Sequence, residues 1–228
     1  MRLTRRASAR LLAAGSAALA IAPLPAWADA RRQALVDDCL VAVKKVIESN
    51  DFPDAPANLR RARGLLIVPN LVQGGFIIGA AGGRGVLLTR NDASNWSYPA
   101  FYSMGSGSIG LQIGAKVAEV LFIIRTEKGL QAILDSRYKF GLEGGLTVAT
   151  IGGGAAGATT AAAGADIVAF SKATGLFAGA SLEGSYIDPD NDWNQLYYGT
   201  GAFTRGIVID RRFTNRGAEP LRQYLAKY

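Results

Sequence analysis

The chain contains no histidine. A serine–histidine–aspartate triad, a cysteine–histidine pair and the common zinc sites all use imidazole near neutral pH, so these reaction classes drop out. Cysteine occurs once, as Cys39, which rules out an internal disulfide in any redox compartment and leaves packing to stabilise the fold. Long apolar runs are also missing. Leu11 to Ala22 falls short of the roughly 20 residues that span a bilayer, and no later segment is long and uncharged enough. The cationic excess is smaller than it first looks. Net charge is +7, from 25 Lys and Arg against 18 Asp and Glu, yet four of the arginines lie in the first 28 residues. Without them the balance is 21 against 18, or +3, which gives no case for nucleic acid as a partner.

Those first residues, "MRLTRRASARLLAAGSAALAIAPLPAWA", have a basic start, an apolar middle and a small-residue end at Ala26-Trp27-Ala28. They read as a secretory signal peptide, residues 1–28, cleaved after Ala28. Thr4-Arg5-Arg6 resembles a twin-arginine signal, but Ser8 stands where a large apolar residue is expected, so both export routes stay open. The expected product is an exported protein of the periplasm or cell envelope. Residues 29–228 suffice for one domain with a substantial core.

In residues 30–48, Val36, Leu40, Val43 and Ile47 recur at steps of 4, 3 and 4 and predict an amphipathic helix. Pro53 and Pro56 break it, so residues 29–58 read as helix plus linker and residues 59–228 as the body of the same structural unit. From Arg60 onward, short β-branched and aromatic runs separated by glycine predict antiparallel strands: "GLLIVP", "GGFIIGAAGGRGVLLTR", "EVLFIIRT", "GLTVATI", "ADIVAFSK" and "LFAGASLEGSYI". Thr126 is placed to cap a short helix reaching Ser136. Leu221, Tyr224, Leu225 and Tyr228 predict a C-terminal helix that closes over the sheet. The expected fold is a single compact α+β domain, a glycine-rich curved antiparallel sheet flanked by N- and C-terminal helices.

Gly152-x-Gly154-x-x-Gly157 has the spacing that cradles a dinucleotide pyrophosphate. A nucleotide site also needs a crossover helix and a carboxylate after the next strand. Only residues 158–163 separate Gly157 from Gly164, and the following run ends in Ser171-Lys172. The spacing recurs as Gly105-x-Gly107-x-x-Gly110, so glycine here serves close strand approach and bending, and no nucleotide is expected. Asp188, Asp190 and Asp192 alternate like the opening of a calcium loop. Trp193 and Gly199 occupy the positions that require glycine and glutamate, which leaves a turn and no metal site. Glu119, Glu127, Glu143 and Glu183 have no spacing that makes two of them converge, so no catalytic residues are assigned. Two aromatic groups, Trp96, Tyr98, Phe101 and Tyr102 and then Trp193, Tyr197 and Tyr198, read as core, with a ligand groove or membrane contact as the alternative.

The stretches "RGLLIVPNLVQGGFIIGAAGGRGVLLTR", "WSYPAFYSMGSGSIGLQIGA", "GATTAAAGADIVAFSK" and "GLFAGASLEGSYI" occur in the order and form that resemble the SYLF family, from about Arg60 to Tyr198. The resemblance implies a compact lipid-binding domain, described as actin-binding in fungal members, with no catalytic activity and no cofactor. In eukaryotic relatives it implies phosphoinositides as ligand, met partly through an N-terminal basic amphipathic helix. An exported member of bacterial type meets neither phosphoinositide nor actin, so anionic phospholipid is the expected partner. The equivalent helix makes Arg31, Arg32, Lys44 and Lys45 candidate headgroup contacts, with Arg60, Arg61 and Arg63 added for their charge. Asp37 and Asp38 dilute that basic face. The expected function is peripheral, non-catalytic lipid binding in the envelope. The alternative is an envelope interaction or assembly factor with a protein partner.

Overall fold

Runs such as "GLLIV" and "EVLFII" show no polar alternation, which demands cover on both faces of the sheet they build. A computed structural model describes residues 24–75, 78–91, 95–109, 116–135, 137–140, 145–152, 163–174 and 184–228. Among these, the strands are β1 (Gly64–Gly75), β2 (Ile78–Thr89), β3 (Ala100–Ile109), β4 (Lys116–Ile124), β5 (Tyr138–Lys139), β6 (Val148–Gly152), β7 (Ile167–Thr174) and β8 (Ser185–Pro189). They form one curved sheet in the order β5-β8-β3-β2-β1-β4-β7-β6.

The two faces hold separate cores. Leu65 and Ile67 of β1, Leu121 and Ile123 of β4, and Val168 and Phe170 of β7 point to one face. There they meet α1 (Leu24–Ile47), α2 (Ala55–Arg60) and α6 (Glu219–Leu225). Leu66 and Val68, Phe122 and Ile124, and Ile167 and Ala169 point the other way, toward α3 (Glu127–Asp135) and α5 (Thr204–Val208). The period-two alternation of strands thus distributes one continuous apolar run between two cores. α4 (Asn191–Tyr198) follows β8, with Asp190 capping it through the Trp193 amide at 3.1 Å. A 3₁₀ turn at Arg216–Ala218 leads into α6.

Pro69 sits in the middle of β1, where it cannot donate to a ladder. The strand answers with a bulge. The pairings with β2 and with β4 both slip by one residue between Ile67 and Val72, so β1 carries one extra residue against both neighbours. Gly85 faces that bulge: a Cβ there would lie 2.1 Å from the Ile67 carbonyl oxygen. At Gly105 of β3 a Cβ would lie 2.7 Å from the Tyr186 hydroxyl. Close approach is therefore the role of glycine at these positions. Gly152 ends β6, whereas Gly154, Gly157 and Gly110 of the two glycine motifs lie outside the described residues.

One strand pair departs from the antiparallel expectation: β6 runs parallel to β7. The connection, residues 153–166, has the dozen or more residues that such a return needs. α1 starts at Leu24, six residues before the expected helix, and so takes in residues 24–28, read from sequence as the end of the signal peptide. The stretch read as a linker contains α2, because proline in the first turn of a helix removes only an amide that would be unpaired there anyway. A boundary at 58/59 falls inside that helix. Ala55 and Leu59 of α2 are buried in the same core as α1.

Candidate functional site

The apolar stripe of α1 is consumed by the core. Val36, Cys39, Val43, Val46 and Ile47 are buried against the sheet, with Leu40 half-buried. Polar contacts fix the same docking: Gln33 donates to the Gly217 carbonyl at 2.9 Å and accepts from the Tyr197 hydroxyl at 2.8 Å. Insertion of this stripe into a lipid interface would require the helix to leave its own fold.

The sequence-derived cations are scattered by this docking. Arg31 is exposed. Arg32 is only 4% exposed; it pairs with Asp29 at 2.9 Å and its guanidinium lies 6.0 Å from the Trp193 ring, so it is packed and not presented. Lys44 stands 5.5 Å over the Tyr224 ring, and Lys45 reaches Glu119 of β4 at 2.5 Å. Arg31 and Lys44 are about 20 Å apart along the axis, at 1.5 Å per residue, so α1 offers no compact basic patch.

Arg60, Arg61 and Arg63, by contrast, meet at one end of the sheet with arginines the sequence reading passed over. The amide of Arg63 donates to the Ile124 carbonyl at 2.8 Å, beside Arg125 at the end of β4. The amide of Arg90 donates to the Arg63 carbonyl at 2.8 Å, which sets the end of β2 beside the start of β1. Arg90 also donates through Nη1 to the Arg60 carbonyl at 2.6 Å, and its guanidinium lies 4.7 Å over the Trp96 ring. Arg211 reaches the same end and donates to the carbonyls of Asn95 at 2.9 Å and Thr89 at 3.4 Å. It does so from a left-handed conformation, φ 57°, which costs a non-glycine residue about 1 kcal/mol. Arg212 follows it and pairs with Asp210 at 3.1 Å.

This crowding has electrostatic consequences. Burial lowers the pKa of the Arg90 guanidinium from its ordinary value, and its Nε is enclosed without a hydrogen-bond partner. Arg211 is lowered as well, by burial first and then by the charge of Arg222. Cations held this way favour a bound anion, because burial, and for Arg211 also the charge of Arg222, raises the cost of keeping each one charged. The nearby carboxylates include Asp54, which lines a cavity with Arg61 and Arg125, Asp166, whose carbonyl accepts from the Arg125 amide at 2.8 Å, and Asp210, the partner of Arg212. Asp166 is taken up locally: it accepts from Thr126 Oγ1 at 2.6 Å and from the Thr147 amide at 3.0 Å, which holds its carboxyl below the ordinary value. Ile209, 41% exposed, adds an apolar group beside Arg211.

A signal for this site was present in the sequence. Arg63 precedes one apolar run, while Arg90 and Arg125 each close another. Antiparallel pairing brings those three positions to the same end.

The other expectations resolve as follows. Thr126 caps α3 by accepting from the Gly129 amide at 3.0 Å. Asp188 and Asp190 pair with Arg137 at 3.0 Å and Arg84 at 3.2 Å. Among the described residues no group of acidic, cysteine or histidine side chains is arranged to hold a metal ion. Trp96, Phe101 and Tyr102 are core residues. Glu143 and Glu183 lie outside the described residues.

A family model described as "Ysc84: Las17-binding protein actin regulator" matches residues 105–228. Curated relatives include LAS seventeen-binding protein 3 of Saccharomyces cerevisiae, 31% identical over 173 residues, and Protein YSC84 of the same yeast, 30% identical over 177 residues. These alignments cover 73% and 75% of this chain and 37% of each relative. The human SH3 domain-containing YSC84-like protein 1 is 31% identical over 157 residues, covering 67% of this chain and 45% of the relative. The chain thus spans less than half the length of these proteins. With more than half of its residues matched by the family model and yeast relatives at 30–31% identity over about three quarters of its length, the chain belongs to the Ysc84, or SYLF, family.

Proposed function

We propose that the protein is a peripheral, non-catalytic binder of anionic phospholipid surfaces in the cell envelope, exported to its site of action. The observation that carries this reading is the convergence of Arg60, Arg61, Arg63, Arg90, Arg125 and Arg211 at one end of the sheet, with Arg212 the next residue in the chain. The surface contact envisaged is electrostatic, with Ile209 as the apolar contribution, and α1 stays docked. Each basic residue near an anionic surface contributes about 1 kcal/mol, and contacts beyond about 8 Å are screened at physiological salt. Several arginines on one end therefore give measurable, salt-sensitive attachment.

Flotation with phosphatidylglycerol-containing and pure phosphatidylcholine vesicles tests it. The wild-type chain should float with the anionic vesicles alone and be released by salt. A variant with Arg60, Arg211 and Arg212 changed to glutamine should lose roughly 100-fold in partition coefficient, at about 1 kcal/mol per charge. Equal binding to both vesicle types, or none, defeats the reading. A second reading, an envelope protein partner, is favoured by the family description and by the name of LAS seventeen-binding protein 3, which speak of Las17 binding. It predicts a stoichiometric partner captured independently of lipid composition.

A further inference from the structure

A cavity of about 210 Å³ opens at the arginine-lined end, between α2 and the edge of the sheet at β6. Its polar wall is Arg61, Arg125, Asp54 and Asn58, and its apolar wall includes Ala57 and Ile151. Pockets for drug-sized ligands run to roughly 300–1,000 Å³, so this one suits a headgroup fragment and not a nucleotide or a whole lipid. Two arginines lining one small cavity are the usual apparatus for a phosphoryl group, since a guanidinium can present paired N–H donors to two oxygens. The Asp54 carboxylate changes which phosphate fits. Two arginines and one aspartate sum to a single positive charge, which matches a phosphodiester monoanion. A phosphomonoester, close to doubly charged at neutral pH, would leave negative charge uncompensated beside Asp54.

We propose that this cavity is a phosphodiester site that discriminates against monoesters through Asp54. It rests on the lipid-surface reading for its biological source, and it names the ligand chemistry: the diester shared by glycerophospholipid headgroups and soluble glycerophosphodiesters. Arg61 and Arg125 hold the phosphoryl oxygens, Asn58 supplies a neutral amide, and the apolar wall takes the glycerol carbons. Asp54 acts as the selectivity group.

Calorimetric or NMR titration of the full chain with glycerophosphoglycerol and with glycerol 3-phosphate tests the site. The diester should bind at least roughly tenfold more tightly than the monoester, the scale of one unit charge lodged in a partly wet cavity. Asp54→Asn should erase or reverse that preference, chiefly by tightening the monoester. Arg61→Gln should weaken both ligands roughly tenfold with Tm unchanged, because Arg61 is exposed. Arg125→Gln repeats the test at the second arginine of the polar wall. A monoester that binds as well as the diester, an Asp54→Asn variant with unchanged selectivity, or no binding of either soluble ligand overturns the inference. Vesicle flotation on the same samples separates the two claims: vesicle binding without diester binding sinks the cavity and leaves the surface reading intact. Diester binding without vesicle binding does the reverse and assigns the site to a soluble diester.

Discussion

Replacing Val43 by alanine separates the two uses to which an amphipathic α1 could be put. Val43 is fully buried in the core that α1 shares with β1 and β4, whereas Val41, on the same helix, is 61% exposed. Truncating Val43 removes two buried carbons. At about 0.8 kcal/mol each, with an added term for unfilled space, the loss comes to about 2 kcal/mol. A chain of this size loses roughly 2–4 °C of Tm per kcal/mol, so Val43→Ala should melt about 4–8 °C lower. Val41→Ala should stay within about 0.5 kcal/mol, as surface changes usually do. Thermal melts read the first quantity. Flotation on anionic vesicles well below the transition reads membrane binding, which both variants should retain. The reasoning is refuted if Val43→Ala leaves Tm unchanged while weakening vesicle binding, because the stripe would then be meeting lipid in place of the sheet.

Gly85→Ala should cost more than about 2 kcal/mol or prevent folding, since its methyl would sit on a backbone oxygen that the Pro69 bulge fixes in place; Gly82→Ala, whose Cβ would find nothing nearer than 3.9 Å, should be tolerated in the same urea titration. Asp166 has a folded pKa below its ordinary 3.8, so its contribution to stability is complete above that value and is lost as pH falls through the folded pKa. Asp166→Asn should therefore be less stable than wild type at pH 6, and the two should converge at acid pH. A constant difference down to pH 2 would contradict the assignment. Thr126→Ala removes both the α3 cap and the Asp166 partner, and should lower stability by about 1 kcal/mol at neutral pH.

The strands, the capped α3 and the C-terminal helix could be seen in advance because each carries a local signal: an apolar run bounded by glycine, a hydroxyl before a helix, or a helical spacing of large side chains. α2 was hidden by Pro56, which reads as a breaker but is tolerated in a first turn. α4 was hidden by the aspartates before it, read as a turn, although Asp190 is its cap. The parallel β6–β7 pair depends on how a connection returns, which no spacing records. Charge alone selected Arg60, Arg61 and Arg63 but could not bring in Arg90, Arg125 or Arg211, because their neighbourhood is created by pairing between residues up to 122 positions apart. Arg32 shows the converse error. A cation on a helix surface looks available until Asp29 and Trp193 close over it.

The docking of α1 on the 3₁₀ turn and α6 has a temporal side. Gln33 binds Gly217, Lys44 lies over Tyr224, and the Tyr224 hydroxyl reaches Glu48 at 2.9 Å. A nascent polypeptide still short of residue 225 has nothing to lay across that part of α1. The helix made early must therefore wait, with apolar surface uncovered, for the segment made late. Closure of that face of α1 is thereby tied to the synthesis of residues 217–225.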